Sequence, residues 1–289
     1  ELLCSISQPT HGLITNVGKA HLEGFGGVEG VKKGKGELYD FFSRKIGKSG
    51  SPEEGVVFVN SDDIVLMEMQ LARGLKNVIF YGSIDLENLV SGQLTDNSPY
   101  LTLQWTNNET GKSYEVKSQL TGAYNLDNIL TAICIGVYFK LSPEEINAGI
   151  AGYQPKNNRS QITNTATNTL ICDYYNANPS SMFVAIENLG KIKADHKVLV
   201  LGDMFEMGEE SAAEHEAVIK KALETPVDER IFIGEEFAAR KAVGEGRGAV
   251  CYTTVEEAIA ALKMNPITHA TILIKGSRGM ALERLVELF

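Results

Sequence analysis

Lys35 stands where a helix should bury a hydrophobe. In VEGVKKGKGELYDFF, Val28, Val31, Leu38 and Phe42 share one face at helical spacing, and Lys35 falls on the same stripe. An ammonium on such a stripe is costly unless its tip reaches water or a partner. Two readings follow: a snorkelling lysine, or a desolvated amine of lowered pKa suited to chemistry on nitrogen. Gly30, Gly34 and Gly36 would each cost that helix roughly 1 kcal/mol against alanine, which makes sense if something must approach it closely. Just upstream, GLITNVGKAHLEGFGG runs from an apolar strand into a glycine-rich turn carrying His21 and Glu23. In open parallel sheets ligands gather at the carboxyl ends of strands, and this turn is one such end.

The second half repeats the arrangement three times. Asp173 follows TLIC, Asp203 follows VLVLG, and Lys275, Ser277 and Arg278 follow TILI. Asp and Gly commonly open turns, so each end alone is a modest signal. Together they place five polar side chains on one edge of one sheet. Asn178 before Pro179 reads as a cap followed by proline at the first helical position; Asn176 has no such structural excuse.

Those residues must be positioned by short apolar strands alternating with helices. GLIT, GVVFVN and NVIFYG are β-branched runs that alternate with helical patterns around residues 28–42 and 62–73, and TLICD, KVLVLGD, RIFIG, AVCYT and TILIKG are each followed by a helical pattern. Continuous apolar strands followed by helices mean a parallel sheet covered on both faces. Residues 92–120 break the rhythm with YLTLQW, a turn-like NNETGK and SYEVKSQL, which reads as a β-hairpin. The polar stretch GYQPKNNRSQ (152–161) separates two α/β rhythms. We therefore expect two α/β domains, residues 1–155 and 156–289.

The net charge of −10 argues against non-specific binding to nucleic acid or to an anionic membrane surface. No apolar run approaches the ~20 residues needed to span a bilayer. Cys4, Cys134, Cys172 and Cys251 lie far apart without metal spacing, as expected of buried thiols in a reducing cytoplasm. There is no G-x-x-x-x-G-K-[ST] loop, no G-x-G-x-x-G after a strand and no H-E-x-x-H. The chain opens with Glu inside a helical pattern, as a fragment of a longer protein would.

Five segments in order, ITNVGKAHLEGFGG…KGKGELYDF, LTGAYNLDNILTA, CDYYNANPSSM, VLGDMFEMGEESAAEH and LIKGSRGMALE, resemble the Mur ligase family. The resemblance runs from about residue 5 to the end. It implies that 1–155 is the back half of a central ATPase domain and 156–289 a C-terminal Rossmann-like domain, with a UDP-sugar domain and the phosphate loop preceding Glu1. YNANP, LGDM.E.GE and KGSRGM point, within the family, to addition of D-Ala-D-Ala to a UDP-MurNAc-tripeptide. A substrate carboxylate is activated by ATP as an acyl phosphate and captured by the incoming amine, with Mg2+ as cofactor. On this resemblance Lys35, carbamylated, and His21 serve catalysis and hold the metal. Asn125 and Asn128 read the adenine, and Arg159 and Asp173 meet ribose and phosphates. Asn176, Asn178, Lys275, Ser277 and Arg278 line the side where the dipeptide arrives, Arg278 gripping its carboxylate. The implied protein is a cytoplasmic monomer, and the isolated fragment is expected to be inactive. The alternatives are another amino-acid-adding ligase of the same fold, similar to folylpolyglutamate synthase, and a non-catalytic nucleotide- or precursor-binding module.

Overall fold

The computed structural model describes residues 2–19, 22–45, 55–83, 87–97, 99–156, 158–244 and 247–289. The chain forms two compact units. One comprises Glu1–Gly18, Phe25–Gln119 and Ala123–Tyr153; the other comprises Lys19–Gly24, Leu120–Gly122 and Gln154–Phe289.

In chain order the first half carries α1 (Leu2–Ser7), β1 (His11–Leu13), α2 (Leu22–Phe25), α3 (Val28–Lys45), β2 (Val56–Asn60), α4 (Ile64–Leu71) and β3 (Val78–Gly82). β4 (Val90–Asn97), β5 (Leu101–Asn107), β6 (Lys112–Lys117), α5 (Asn125–Tyr138) and α6 (Pro143–Gly152) complete it. The sheet order is β1-β2-β3-β4-β5-β6. β1 to β4 pair in parallel, and β5 and β6 add antiparallel. The segment expected as a hairpin is thus three strands: β5 and β6 turn at 108–111, and β4 joins them to the parallel half. β4 alternates buried Val90 and Gly92 with partly covered neighbours before turning polar. That pattern suits a strand covered on one face only. Trp105 is fully buried there, and its indole N–H donates to Asn147 Oδ1 at 2.9 Å. Ser142 and Glu145 form a capping box that starts α6 after Leu141.

The second unit carries β7 (Gln161–Asn164), β8 (Thr169–Asp173), α7 (Pro179–Lys191), β9 (Lys197–Gly202), α8 (Ser211–Glu224) and β10 (Glu229–Ile233). α9 (Glu235–Ala238), β11 (Ala249–Tyr252), α10 (Val255–Met264) and β12 (Thr271–Lys275) follow. Its order is β11-β10-β9-β12-β8-β7, parallel except for β7 against β8. The last strand slots between β8 and β9, placing Lys275 opposite Asp173 in register. After β12 the glycine-containing KGSRG does not start an α-helix: 3-10 turns at Arg278–Met280 and Leu282–Leu288 take its place. The core joins Leu170, Val198, Val200, Ile272 and Ile274 to Leu282 and Leu285. Among the described residues no helix is long and apolar enough to cross a membrane.

Candidate functional site

Lys35 is half-buried on α3, and its Nζ donates to the Asn16 carbonyl at 2.7 Å. Burial lowers its pKa from the ordinary lysine value, enlarging the neutral, nucleophilic fraction of the amine. The stripe around it is buried at Val31 and Phe42, so its position follows from the helical period. The glycines beside it have a local cause. A Cβ at Gly30 would lie 1.7 Å from the Phe25 carbonyl oxygen, and one at Gly34 would lie 2.6 Å from the Phe25 ring. What approaches α3 at these positions is the chain's own turn.

His21 lies outside the described residues. Among the described residues no group of three or more His, Cys, Asp or Glu side chains gathers to hold a metal ion. Magnesium prefers oxygen ligands. The Lys35 amine offers none, whereas a carbamate on it would add two oxygens and keep one N–H able to donate to the Asn16 carbonyl. The chemistry of Lys35 therefore fits such a modification.

At the start of α5, Asn128 Nδ2 donates to Asn125 Oδ1 at 3.0 Å. Asn125 is buried and Asn128 exposed. The outer amide retains a carbonyl oxygen and one N–H, a donor–acceptor pair that matches the edge of a purine. Sequence reasoning missed the polar end of β2 in the same unit. Asn60 is buried, its Oδ1 accepting from Asp62 N at 3.0 Å. Asp62 in turn accepts from Ser83 N at 2.7 Å. The Asp127 carboxyl is held above its usual pKa, first by desolvation and then by the charge of Asp62. A strand ending in N-S-D-D was the available signal, of the same kind as the ends singled out in the second half.

On the second unit's sheet edge, Lys275 Nζ donates to Asp173 Oδ2 at 2.6 Å and to the Asn176 carbonyl at 3.3 Å. Asp173 Oδ1 accepts from Ser160 N at 3.1 Å. These two candidates are spent largely on each other and on the loops beside them. Ser277 Oγ accepts from Phe205 N at 2.8 Å, and Ser277 N donates to the Asp203 carbonyl at 3.0 Å. Asn178 caps α7, accepting from Ser181 N at 2.9 Å, and Asn176 Oδ1 accepts from Ala177 N at 2.9 Å. Arg159 and Arg278 are exposed, and both guanidinium groups lie over the Tyr175 ring, 4.2 and 5.4 Å from its centroid.

Asp203, also at this edge, accepts from Glu236 N at 2.9 Å and Phe237 N at 3.0 Å, so it caps the short α9. Gly234 makes this possible: its φ is +130°, and a Cβ there would lie 2.2 Å from the Asp203 carboxyl. His215, fully buried, accepts from Met204 N at 3.0 Å through Nε2 and donates from Nδ1 to the Ser211 carbonyl at 2.7 Å. That pattern fixes the neutral tautomer, and burial lowers the His215 pKa accordingly. Its Nε2 lies 3.7 Å from Asp203 Oδ1; as an acceptor from Met204 it forms no ion pair there. A hollow of about 530 Å3 lies beside Asp203, with Phe205, Glu206, Glu235, Glu236 and Met280 in its wall. Its carboxylates would repel phosphate, which leaves the arginines as the anion-attracting part of the described edge.

Comparison with known proteins gives a consistent result. Residues 1–136 match the Mur ligase middle domain, and residues 158–278 match the Mur ligase, glutamate ligase domain. The chain is 32% identical, over 98% of its length, to the UDP-N-acetylmuramoyl-tripeptide–D-alanyl-D-alanine ligase of Escherichia coli, covering 60% of that protein. It superposes on a MurF crystal structure from Acinetobacter baumannii with a TM-score of 0.82 at 26% identity, covering 98% of this chain and 60% of that one. A MurF ligase structure from Thermotoga maritima in complex with ADP shares the fold, with a TM-score of 0.80 at 21% identity, over 99% of this chain and 63% of that one. The chain thus spans about three-fifths of the length of these relatives.

Proposed function

The chain belongs to the Mur ligase family, combining its middle and C-terminal domains, and on that premise we propose that it serves an ATP-dependent amide-bond ligase of peptidoglycan precursor synthesis. The reaction joins D-Ala-D-Ala to UDP-MurNAc-tripeptide. The observation that carries the substrate choice is the similarity, over 98% of the chain, to a ligase with those substrates in its name. The MurF ligase of shared fold that binds ADP supports a nucleotide site. The proposed setting is the cytoplasm and the proposed state a monomer.

In this reading the terminal phosphoryl group of ATP passes to a carboxylate oxygen of the tripeptide, leaving ADP and an acyl phosphate. The dipeptide amine then attacks the carbonyl carbon, the carbon–oxygen bond to phosphate breaks, and the amine proton is released. Negative charge grows on phosphoryl oxygens, so fixed cations near them stabilise the transition state. Asn125 and Asn128 orient the adenine through the outer amide. Lys35, kept partly neutral by burial, would add carbon dioxide at Nζ and lose one amine proton to become a carbamate; with His21 that carbamate would hold magnesium, which would supply positive charge against the phosphoryl oxygens. Lys275 and Asp173 hold the strand ends, while Arg159 and Arg278 meet anionic groups. Asn176 and Ser277 set the loop surface facing the dipeptide, and Asn178 fixes the start of α7 beneath it.

The test is phosphate release from Mg-ATP by the protein carrying this chain. Release that requires both UDP-MurNAc-tripeptide and D-Ala-D-Ala is the expected result. Release supported by glutamate in place of the dipeptide, or none with all three substrates, would overturn the assignment.

A further inference from the structure

Resting on the ligase reading, we propose that Tyr175 is a positioning residue that gathers Arg159 and Arg278 into one two-guanidinium site for a single oxyanion, a carboxylate or a phosphate. The family resemblance treats the two arginines as serving different substrates. The structure brings both within cation–π range of one ring, 4.2 and 5.4 Å from its centroid. Their guanidinium carbons are therefore no farther apart than about one Debye length, ~10 Å at 0.1 M salt. Neither guanidinium has an ion pair or hydrogen bond among the described residues. Two like charges held so close repel each other, and the negative face of one half-exposed ring offsets only part of that repulsion. An oxyanion between them offsets the rest, and guanidinium forks suit the planar spacing of carboxylate or phosphate oxygens.

The backbone around the ring points the same way. Asn158 and Ser160, on either side of Arg159, both adopt left-handed conformations at φ +55° and +53° although neither is glycine. Such positions persist only where the surroundings over-determine them. Here Tyr175 N donates to the Asn158 carbonyl at 3.3 Å, while Ser160 N donates to Asp173 Oδ1 at 3.1 Å. Lys275 holds Asp173 in turn. Arg278 is also carried on a constrained turn, a 3-10 segment ended by left-handed Ala281 at φ +53°. Tyr175 thus fixes the Arg159 loop through its backbone and both guanidinium groups through its ring, which a merely solvated aromatic would not do.

The anion comes either from the nucleotide phosphates or from the carboxyl end of the dipeptide, and the experiment separates the two. Protein labelled with 15N-arginine is titrated with inorganic phosphate, with D-Ala-D-Ala and with the dipeptide's C-terminal amide, following the Nε–H signals of Arg159 and Arg278. Each signal is assigned by its Arg→Lys variant. In at least one of the first two titrations both signals should shift together with one dissociation constant, and the amide should be inert. Tyr175→Leu should weaken that binding at least tenfold and uncouple the two signals. Tyr175→Phe should restore it to within about twofold, because the phenol hydroxyl has no partner among the described residues. If Tyr175→Leu does not fold, Arg159→Lys gives the same reading: the Arg278 response should weaken at least tenfold. Signals that saturate independently, no response to either anion, or unchanged binding in Tyr175→Leu would overturn the proposal. A protein that binds the anion through both arginines yet releases no phosphate in the three-substrate assay would sink the ligase reading alone.

Discussion

Removing Lys275 should cost the second unit more than any other single truncation at its sheet edge. The Lys275 side chain is 3% exposed and its partner Asp173 12%, with 2.6 Å between Nζ and Oδ2. Lys275→Met keeps much of the stem's volume and takes away the charge, leaving a carboxylate in a desolvated position. Breaking a buried pair from one side costs about 3–5 kcal/mol, because the remaining charge is uncompensated. Asp173 keeps one hydrogen bond from Ser160 N, so the lower end, about 3 kcal/mol, applies. At about 2–4 °C per kcal/mol for a domain of this size, the midpoint of the second unit should fall by about 10 °C. The single tryptophan, Trp105, belongs to the first unit. Its fluorescence should therefore hold nearly steady while the far-ultraviolet dichroism shows the earlier transition. The double variant Lys275→Met with Asp173→Asn should recover most of the loss, since no charge then remains to be desolvated. A single variant that loses less than about 1 kcal/mol, or a double variant no better than the single, would refute the claim that desolvated charge dominates at this edge.

Four further outcomes follow from the geometry. In the proposed ligase reaction, Lys35→Ala should abolish turnover by the protein carrying this chain, and added short-chain carboxylic acids should partly restore it; loss without rescue would count against an oxygen-bearing Lys35. Because burial lowers the Lys35 pKa, cyanate should label it faster than exposed lysines at pH values below 10.5, which peptide mapping would show. Gly234→Ala, forced to φ +130° with its Cβ on the Asp203 carboxyl, should cost at least about 2 kcal/mol in urea unfolding. His215 is held neutral in the fold, where burial lowers its pKa below the ordinary histidine value of about 6.5. Unfolding therefore takes up a proton below pH 6.5, and the stability present above that pH is lost as pH falls. The loss should reach about 1.4 kcal/mol per pH unit, and His215→Gln should flatten this part of the stability–pH curve.

The alternation of strands and helices could be read from the chain because TLICD, KVLVL, RIFI and TILIK are too short and too β-branched to be anything but buried parallel strands. The same runs announced where polar groups must emerge, and Asp173, Asp203 and Lys275 do stand at or next to strand ends. Lys35 was visible as an ammonium breaking an apolar stripe. What could not be read was partnership. Lys275 meets Asp173 across 102 positions of sequence only because β12 inserts between β8 and β9, a matter of strand order rather than of any local pattern. Asp203 looked like a residue aimed at a ligand, whereas it caps α9 in a geometry that requires glycine at 234. The glycines of α3 could be seen to invite close approach, but not that Phe25 would be what approaches Gly30 and Gly34, and Arg73 what approaches Gly36.

The fate of the strand-end groups decides which of them can still do chemistry. An exposed polar side chain at a sheet edge is available to a ligand only to the extent that the fold does not already use its hydrogen-bonding capacity. Asp173 is used by Lys275 and Ser160, Ser277 by the loop after β9, Asn178 by the start of α7, and Asp203 by the start of α9. These four therefore act by holding loops, and substituting them should disturb stability and geometry before it disturbs affinity. Arg159, Arg278 and the amide nitrogen of Asn176 are what the fold leaves unspent, and Asn128 plays that part in the first unit. Truncating these residues should instead raise the concentration of ligand required while leaving the unfolding free energy within about 0.5 kcal/mol of the parent. The two groups can be told apart by measuring both quantities on the same variants. A large stability loss on truncating Arg159 or Arg278, without loss of anion binding, would reverse the division drawn here.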